Sequence, residues 1–266
     1  MTDTDLIERA TVLAIQGDMP SALYALANSL DARIKIKNLR IREALDQRNL
    51  GNNHRAEEIL RLAVREAGGG SLLGELYHHL GTNSQGVNQF TKALEYLHLA
   101  FRLRADSGDI LGAAYTAFQI PMCKNVSGVP YENLLGEFSE AEETIRTALR
   151  DADHLPEEHA GNMLQNLAFC LQVKKQWMDA LSAYDETMVY RNLAEADKPE
   201  NERRGVAMTR TRKAECYLAL GQIGLARDEA DQALLVFERI EDKNRIKQVH
   251  DLMAKISEAE KTNSAP

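Results

Sequence analysis

A small residue recurs along the chain at a nearly regular spacing, and this repeat constrains the fold more than any other feature. Six alanines stand 34, 37, 48, 39 and 46 residues apart, at Ala22, Ala56, Ala93, Ala141, Ala180 and Ala226. Seven residues after each alanine comes a second small residue: Ser29, Ala63, Ala100, Ala148, Thr187 or Ala233. Small residues occur where two helix backbones must approach closely, so the repeat predicts a tandem array of helix pairs.

The residues before each alanine predict a turn between the two helices of a pair. Five residues before the alanine stands Gly17, Gly51, Asn88, Gly136, Lys175 or Gly221. Glycine suits a helix stop because it adopts a positive φ without strain. Three residues before the alanine stands Met19, Asn53, Phe90, Phe138, Trp177 or Ile223. Apart from Asn53 these are large apolar side chains that would wedge between the paired helices, and Trp177 is therefore expected in the core.

The stretch from Ala214 to Leu234, AECYLALGQIGLARDEADQAL, combines all of these features. With the same offsets in five further copies, the chain resembles the tetratricopeptide-repeat family over roughly residues 3–240. The long intervals are similar to the extended repeats of bacterial regulators and kinesin light chains. The resemblance implies helix pairs that stack into a right-handed superhelix, with the first helix of each pair lining the concave face.

We therefore predict an all-α fold, a right-handed α-solenoid of about six tetratricopeptide-like helix pairs plus a C-terminal capping helix, in a single domain over residues 1–260. The repeats are expected at about 3–36, 37–70, 71–107, 108–155, 156–200 and 201–240, the cap at 243–260 and a disordered tail at 261–266. The 48-residue interval requires extra chain, and Gly128 and Pro130 disfavour helix. Residues 124–134 are therefore predicted to form a surface loop outside the solenoid.

Composition narrows the function classes. The net charge of −8 argues against a nucleic-acid partner, although solubility alone also explains it. No run of about 18 apolar residues suggests a membrane span, and the opening MTDTDLIERA lacks the pattern of a secretory signal. Three cysteines without close spacing fit a reducing compartment better than a disulfide framework or a zinc site. We expect a cytoplasmic protein without a membrane partner.

The family resemblance also implies which side chains face a ligand, namely polar positions of the first helices. The candidate contacts are Asn162, Gln165, Asn166, Arg212 and His78. Amide side chains can give and take one hydrogen bond each with a peptide backbone, and a guanidinium can hold a carboxylate bidentately. The alternative is that these residues are simply exposed polar positions. The carboxylate clamp of chaperone-binding relatives is not matched, because Met208 stands where the clamp lysine would be.

Patterns for catalysis and metal binding are weak. His78 and His79 are adjacent on a predicted helix and point about 100° apart, so they cannot easily share one ion. The HLPEEH segment is not a zinc-protease motif, and no cysteine has partners at a recognisable nucleophile spacing. We expect no catalytic residues, no metal and no cofactor.

The leading functional hypothesis is a non-catalytic scaffold that binds a peptide or protein segment in its concave groove. The alternative is a signal-sensing regulatory protein that closes around a small peptide or metabolite and modulates a protein partner. A third hypothesis, an accessory enzyme that uses the histidine-bearing groove, is weaker. Under the leading hypothesis we expect a protein or peptide partner. Whether the chain forms a homodimer is left open.

Overall fold

The computed structural model of the chain describes residues 30–67, 71–151, 155–199 and 202–263, with scattered single positions between Arg9 and Ser21. Within these residues every regular element is helical. The helices are α1 (Leu30–Asn49), α2 (Asn53–Ala67), α3 (Ser71–Gly86), α4 (Phe90–Asp106), α5 (Ile110–Val126), α6 (Leu135–Asp151), α7 (Glu157–Val173), α8 (Trp177–Ala194), α9 (Arg204–Ala219), α10 (Ile223–Arg239) and α11 (Lys243–Asn263), with a 3₁₀ turn at Tyr131–Asn133. The predicted all-α solenoid class is confirmed.

The chain divides into two compact units, Met1–Val129 and Pro130–Pro266, which we call unit 1 and unit 2. In unit 1, α1 pairs with α2 and α3 pairs with α4, and α5 packs against α4. In unit 2, α7 pairs with α8 and α9 pairs with α10, while α6 packs on α7 and α11 packs on α10 and α9. We call α7 and α9 the first helices of unit 2, and α11 takes the place of the next one.

Several boundaries of the helices and units differ in position from the boundaries expected for the repeats. Helix α1 is continuous across the expected boundary between 3–36 and 37–70, and the division between the units falls inside the repeat expected at 108–155. Helix α11 continues to Asn263, so the first part of the tail expected to be disordered is helical. The first helix expected in the repeat at 3–36 lies largely outside the described residues. The prediction of one domain over 1–260 stays a prediction.

The alanine register forms the closest contacts between helices. Its described members, Ala56, Ala93, Ala141, Ala180 and Ala226, are each at most 1% exposed. The second small residue of each described repeat, Ala63, Ala100, Ala148, Thr187 or Ala233, is at most 2% exposed. Ala22 and Ser29 lie outside the described residues. The register thus works as the sequence predicts, because each pair of small side chains lets a neighbouring helix approach.

Four of the predicted helix stops have the expected left-handed backbone. The φ angles are +81° at Gly51, +61° at Asn88, +61° at Lys175 and +71° at Gly221. A non-glycine residue pays about 1–2 kcal/mol for this conformation, with asparagine among the least penalised. Gly136 is different: it lies inside α6, and the left-handed residue that follows the end of α5 is Gly128, with a φ of +105°.

The predicted surface loop at 124–134 is wrong at both ends. Helix α5 continues through the buried Pro121 to Val126. At the other end Leu134 is only 2% exposed, and the ring of Tyr131 lies 5.9 Å from that of Phe138. Proline removes one backbone hydrogen bond but does not end a helix that is held by tertiary packing.

Candidate functional site

Helix α7 carries three of the predicted contact residues on one side. The side-chain oxygens of Asn162 and Gln165 both accept a hydrogen bond from Nη2 of Arg191 on α8, at 2.8 Å in the case of Gln165. Two of the three amides are therefore already engaged. Asn166 is half-buried, and its side chain has no hydrogen-bond partner among the described residues. The sequence could not identify Arg191, because it reaches α7 from a second helix.

Arg212 on α9 is held rigidly from two sides. Its guanidinium lies 4.6 Å from the ring centre of Phe169, and Nη1 donates to Oε2 of Glu215 at 2.9 Å. The same Glu215 oxygen accepts from Gln172 at 2.8 Å, and Gln172 accepts from the hydroxyl of the buried Tyr184 at 2.7 Å. A continuous network therefore connects the core of unit 2 to the surface of its first helices.

This network also balances the charge of Arg212. Burial acts to lower the pKa of Arg212, but Glu215 and Tyr184 outweigh it and raise the pKa above its ordinary value. The cation–π contact with Phe169 adds to the stabilisation of the charged form. Arg212 is thus a fixed hydrogen-bond donor with a counter-charge in place, rather than a cation that needs one.

Arg245, in the first turns of α11, has the opposite surroundings. Its guanidinium donates to Oε1 of Gln248 at 2.7 Å, and among the described residues it forms no ion pair. Burial first, and then repulsion by Arg204 and Arg212, outweigh the attraction of Asp242 and Glu215 and lower the pKa of Arg245. The sequence reasoning missed Arg245 because it treated α11 only as a cap. The signal was present: polar residues at Asn244, Gln248, Asp251 and Lys255 follow one side of the helix.

A cleft of about 620 Å³ lies next to these arginines, within unit 2. It is open to solvent, and its walls are formed by Gln172, Trp177, Glu215, Leu218, Ala219, Asn244, Lys247, Gln248, Asp251, Leu252 and Lys255. Trp177 is half-buried in this wall, so its expected place in the core is wrong. The tryptophan is the first residue of α8, and at that end of the helix it forms part of the cleft wall.

His78 lies in unit 1, in a closed hydrogen-bond network. The Thr116 hydroxyl donates to the carbonyl of Gly112 at 2.9 Å and accepts from Arg104 at 3.1 Å. Nδ1 of His78 therefore donates to the Thr116 oxygen, at 3.1 Å. Burial, reinforced by Arg104 and His79, keeps the pKa of His78 well below its ordinary value. A neutral His78 in this network serves the packing of α3 against α5.

Among the described residues, no group of three or more His, Cys, Asp or Glu side chains is placed to hold a metal ion. Burial raises the pKa of the Cys170 and Cys216 thiols to about 12, which leaves them protonated and unreactive. No helix in the described part of the chain has the length and apolar character needed to cross a bilayer.

No protein-family model matches the sequence, and no curated protein is significantly similar to it. Solved structures do match. A signal-transduction ATPase with a tetratricopeptide-repeat sensor from Pyrococcus horikoshii is 17% identical, with a TM-score of 0.59 over 97% of this chain and 36% of that one. The apo form of the quorum sensor NprR from B. thuringiensis is 13% identical, with a TM-score of 0.57 over 95% and 70%.

A thermophilic tetratricopeptide-repeat protein of Thermus thermophilus matches over 84% of this chain and 98% of its own, at 16% identity and a TM-score of 0.55. At such identities the likeness is one of fold. The chain is therefore a tetratricopeptide-like protein in architecture, as its alanine register predicts.

Proposed function

We propose that the chain is a non-catalytic scaffold that binds an extended peptide or protein segment along the first helices of unit 2. On α7, Asn166 has an amide without a hydrogen-bond partner among the described residues. On α9, the Arg212 guanidinium is fixed by Phe169 and by Glu215, which lines the open cleft, and this fixed donor is the observation that carries the proposal. Groups that are already ordered lose little conformational entropy when they bind, so they contribute more to affinity.

The expected mode of binding follows from these groups. The amide of Asn166 can donate to one carbonyl of the segment and accept from one N–H, without selecting a side chain. The guanidinium of Arg212 has five N–H donors, and only some of them are occupied by Glu215. Trp177 and Leu218 provide an apolar surface in the adjoining cleft. Polar contacts would thus orient the segment, and the apolar surface would provide affinity.

The alternative is a signal-sensing regulatory protein that closes around a small peptide or metabolite. Two structural neighbours favour it, since one is a quorum sensor and the other contains a tetratricopeptide-repeat sensor. The openness of the cleft supports the scaffold instead, because small-molecule sites are usually enclosed. The net charge of −8 supports a protein partner over nucleic acid. A cytoplasmic location and a homodimer stay predictions.

The test is affinity selection of a soluble library of random 12-residue peptides on the full chain, followed by titration of the selected peptides. Asn166→Ala should weaken binding by roughly 5- to 100-fold, since it removes a hydrogen-bonding group at the contact. The matched control is Gln232→Ala, an exposed amide of α10 with no partner among the described residues. Equal affinities for the two variants would show that the site lies elsewhere.

Lys174 lies in the turn after α7, away from the proposed contacts, but Lys174→Ala would be an unsuitable control for this experiment. Its ammonium group pairs with Oε2 of Glu142 at 2.9 Å, and the Glu142 carboxylate is largely buried. Removing one partner of such a pair leaves a partly desolvated charge. A Lys174 variant would therefore change stability as well as the surface.

A further inference from the structure

We propose that Arg245, and not Arg212, anchors an acidic group of the bound segment, so that the preferred ligand is a peptide in which a carboxylate lies close to a large apolar residue. This inference rests on the proposed peptide-binding function and adds the chemistry of its ligand. It follows from the charges around the two arginines and from the walls of the adjoining cleft.

Arg245 forms no ion pair among the described residues, and the attraction of Asp242 and Glu215 does not balance its burial and its repulsion by Arg204 and Arg212. The neighbouring Asp242 is already used, because its carboxylate accepts from the Arg204 guanidinium at 3.0 Å and from the Arg245 backbone N–H at 3.2 Å. The guanidinium of Arg245 contacts only the neutral amide of Gln248. A half-buried cation without a partner is unfavourable, and a carboxylate can relieve it with two parallel hydrogen bonds.

Arg212 does not have this property, although it lies on the same side of unit 2. Glu215 pairs with it at 2.9 Å, and Gln172 fixes the same carboxylate oxygen. An incoming acidic side chain would have to compete with Glu215 and would be repelled by it. The same ligand placed at Arg245 meets a guanidinium that has no ion-pair partner, at a position where Arg204 and Arg212 act more strongly than Asp242 and Glu215.

The cleft supplies the apolar part of the specificity. Gln248 lines the cleft and holds Arg245, which places the guanidinium beside it. Trp177, Leu218 and Leu252 form the apolar part of the wall. The acidic residues in the wall do not oppose an anion strongly: Glu215 is paired with Arg212, and Asp251 lies one turn from a lysine on each side along α11. A peptide with adjacent acidic and apolar residues fits both features.

The test uses the same peptide selection, with half of the soluble 12-residue library carrying a free C-terminal carboxylate and half amidated. Peptides selected by the unaltered chain should be enriched in aspartate or glutamate next to large apolar residues. If the carboxylate is that of a side chain, the amidated half is enriched equally; if it is the terminal one, only the free-acid half is enriched. Arg245→Gln should lower affinity for these peptides roughly 10- to 100-fold.

The matched control is Lys261→Gln, which removes an exposed positive charge of the same helix outside the walls of the cleft. This variant should retain the acidic preference. If Arg245→Gln retains it as well, or if the selected peptides have no acidic bias, the anchor role is refuted while peptide binding stands. If no peptide is enriched by any form of the chain, the proposed function fails, and this inference fails with it.

A second measurement needs no ligand. Arg245→Met keeps the length of the side chain but removes its charge, and in the free chain the burial of that charge and its repulsion by Arg204 and Arg212 outweigh the attraction of Asp242 and Glu215. The free chain should then unfold at an unchanged or higher temperature, whereas a purely structural arginine would lose stability on the same change. A fall in Tm larger than that of Lys261→Met would contradict the proposal.

Discussion

The close approach of α3 and α4 in unit 1 can be tested by adding a single methyl group. A Cβ atom at Gly81 would lie 2.7 Å from Cγ of Leu97, 2.9 Å from its Cδ2 and 3.2 Å from the carbonyl oxygen of Ala93. Leu97 is fully buried, so its side chain has little room to move away. The Ala93 oxygen belongs to the backbone of α4, and a change of rotamer cannot relieve that contact.

Two opposing effects set the change in the free energy of unfolding for Gly81→Ala. Alanine favours a helix interior over glycine by about 1 kcal/mol. Overpacking of a well-filled core costs about 1–3 kcal/mol. Because one of the close contacts is to backbone, we expect the upper part of that range and a net loss of about 1–2 kcal/mol. Gly86→Ala, on the same helix, meets no atom within 4 Å and should be neutral or stabilising by up to about 1 kcal/mol.

The assay is urea unfolding followed by circular dichroism, with hydrogen exchange to locate the effect in α3 and α4. Contacts in repeat proteins are mainly between neighbours, so protection should fall in unit 1. Leu97→Ala removes the clashing Cγ, and in that background the penalty of Gly81→Ala should shrink by about 1 kcal/mol or more. If Gly81→Ala is as stable as Gly86→Ala, the helices can separate freely, and the close-approach reasoning is refuted.

Three further predictions concern buried polar groups. Glu195 caps α9, because its carboxylate accepts from the backbone N–H groups of Gly205 and Val206 at 3.0 and 3.3 Å. Glu195→Ala should lower the stability of that helix by about 1–3 kcal/mol, measured as faster hydrogen exchange. The buried Cys170 thiol, with its pKa raised to about 12, should resist iodoacetamide at pH 8 and react only in urea. Burial lowers the pKa of His79 to about 4, so the unfolded chain binds the proton more strongly than the folded chain. The free energy of unfolding should therefore fall as the pH drops from about 6.5 towards 4. Urea titrations at pH 7 and 5 should show a smaller fall for His79→Gln than for the unaltered chain.

The helix pairs could be predicted because their signals are local and periodic. The small residues at Ala93 and Ala226 lie where helices touch, and Phe90 and Ile223 begin second helices as their offsets suggest. The errors occur where tertiary packing overrides a local preference. Pro121 disfavours helix, yet α5 passes through it because the surrounding residues are buried.

The site could be predicted only in part, because it depends on which charges are paired. Asn162 has the sequence position of a ligand contact, but Arg191, 29 residues further on, occupies it. Gln172 and Glu215 are 43 residues apart and meet through a side-chain hydrogen bond of 2.8 Å. A hydrophobic period places such residues on a face but does not say which long side chain will reach them. Arg212 therefore looked like a free anchor in the sequence, whereas the structure gives it a partner.

An unpaired arginine is not sufficient evidence for a ligand, and unit 1 shows why. Arg48 is half-buried, donates to the Thr82 hydroxyl at 3.4 Å, and has its pKa lowered by burial, much like Arg245. The cavity beside it has a volume of only about 10 Å³, enough for one water molecule and too small for a side chain. Arg245 also lacks an ion pair, but its hydrogen-bond partner Gln248 lines a cleft of about 620 Å³. A half-buried guanidinium with no adjoining space, like that of Arg48, favours a structural role. A half-buried guanidinium beside an open cleft, like that of Arg245, favours recognition of an anion.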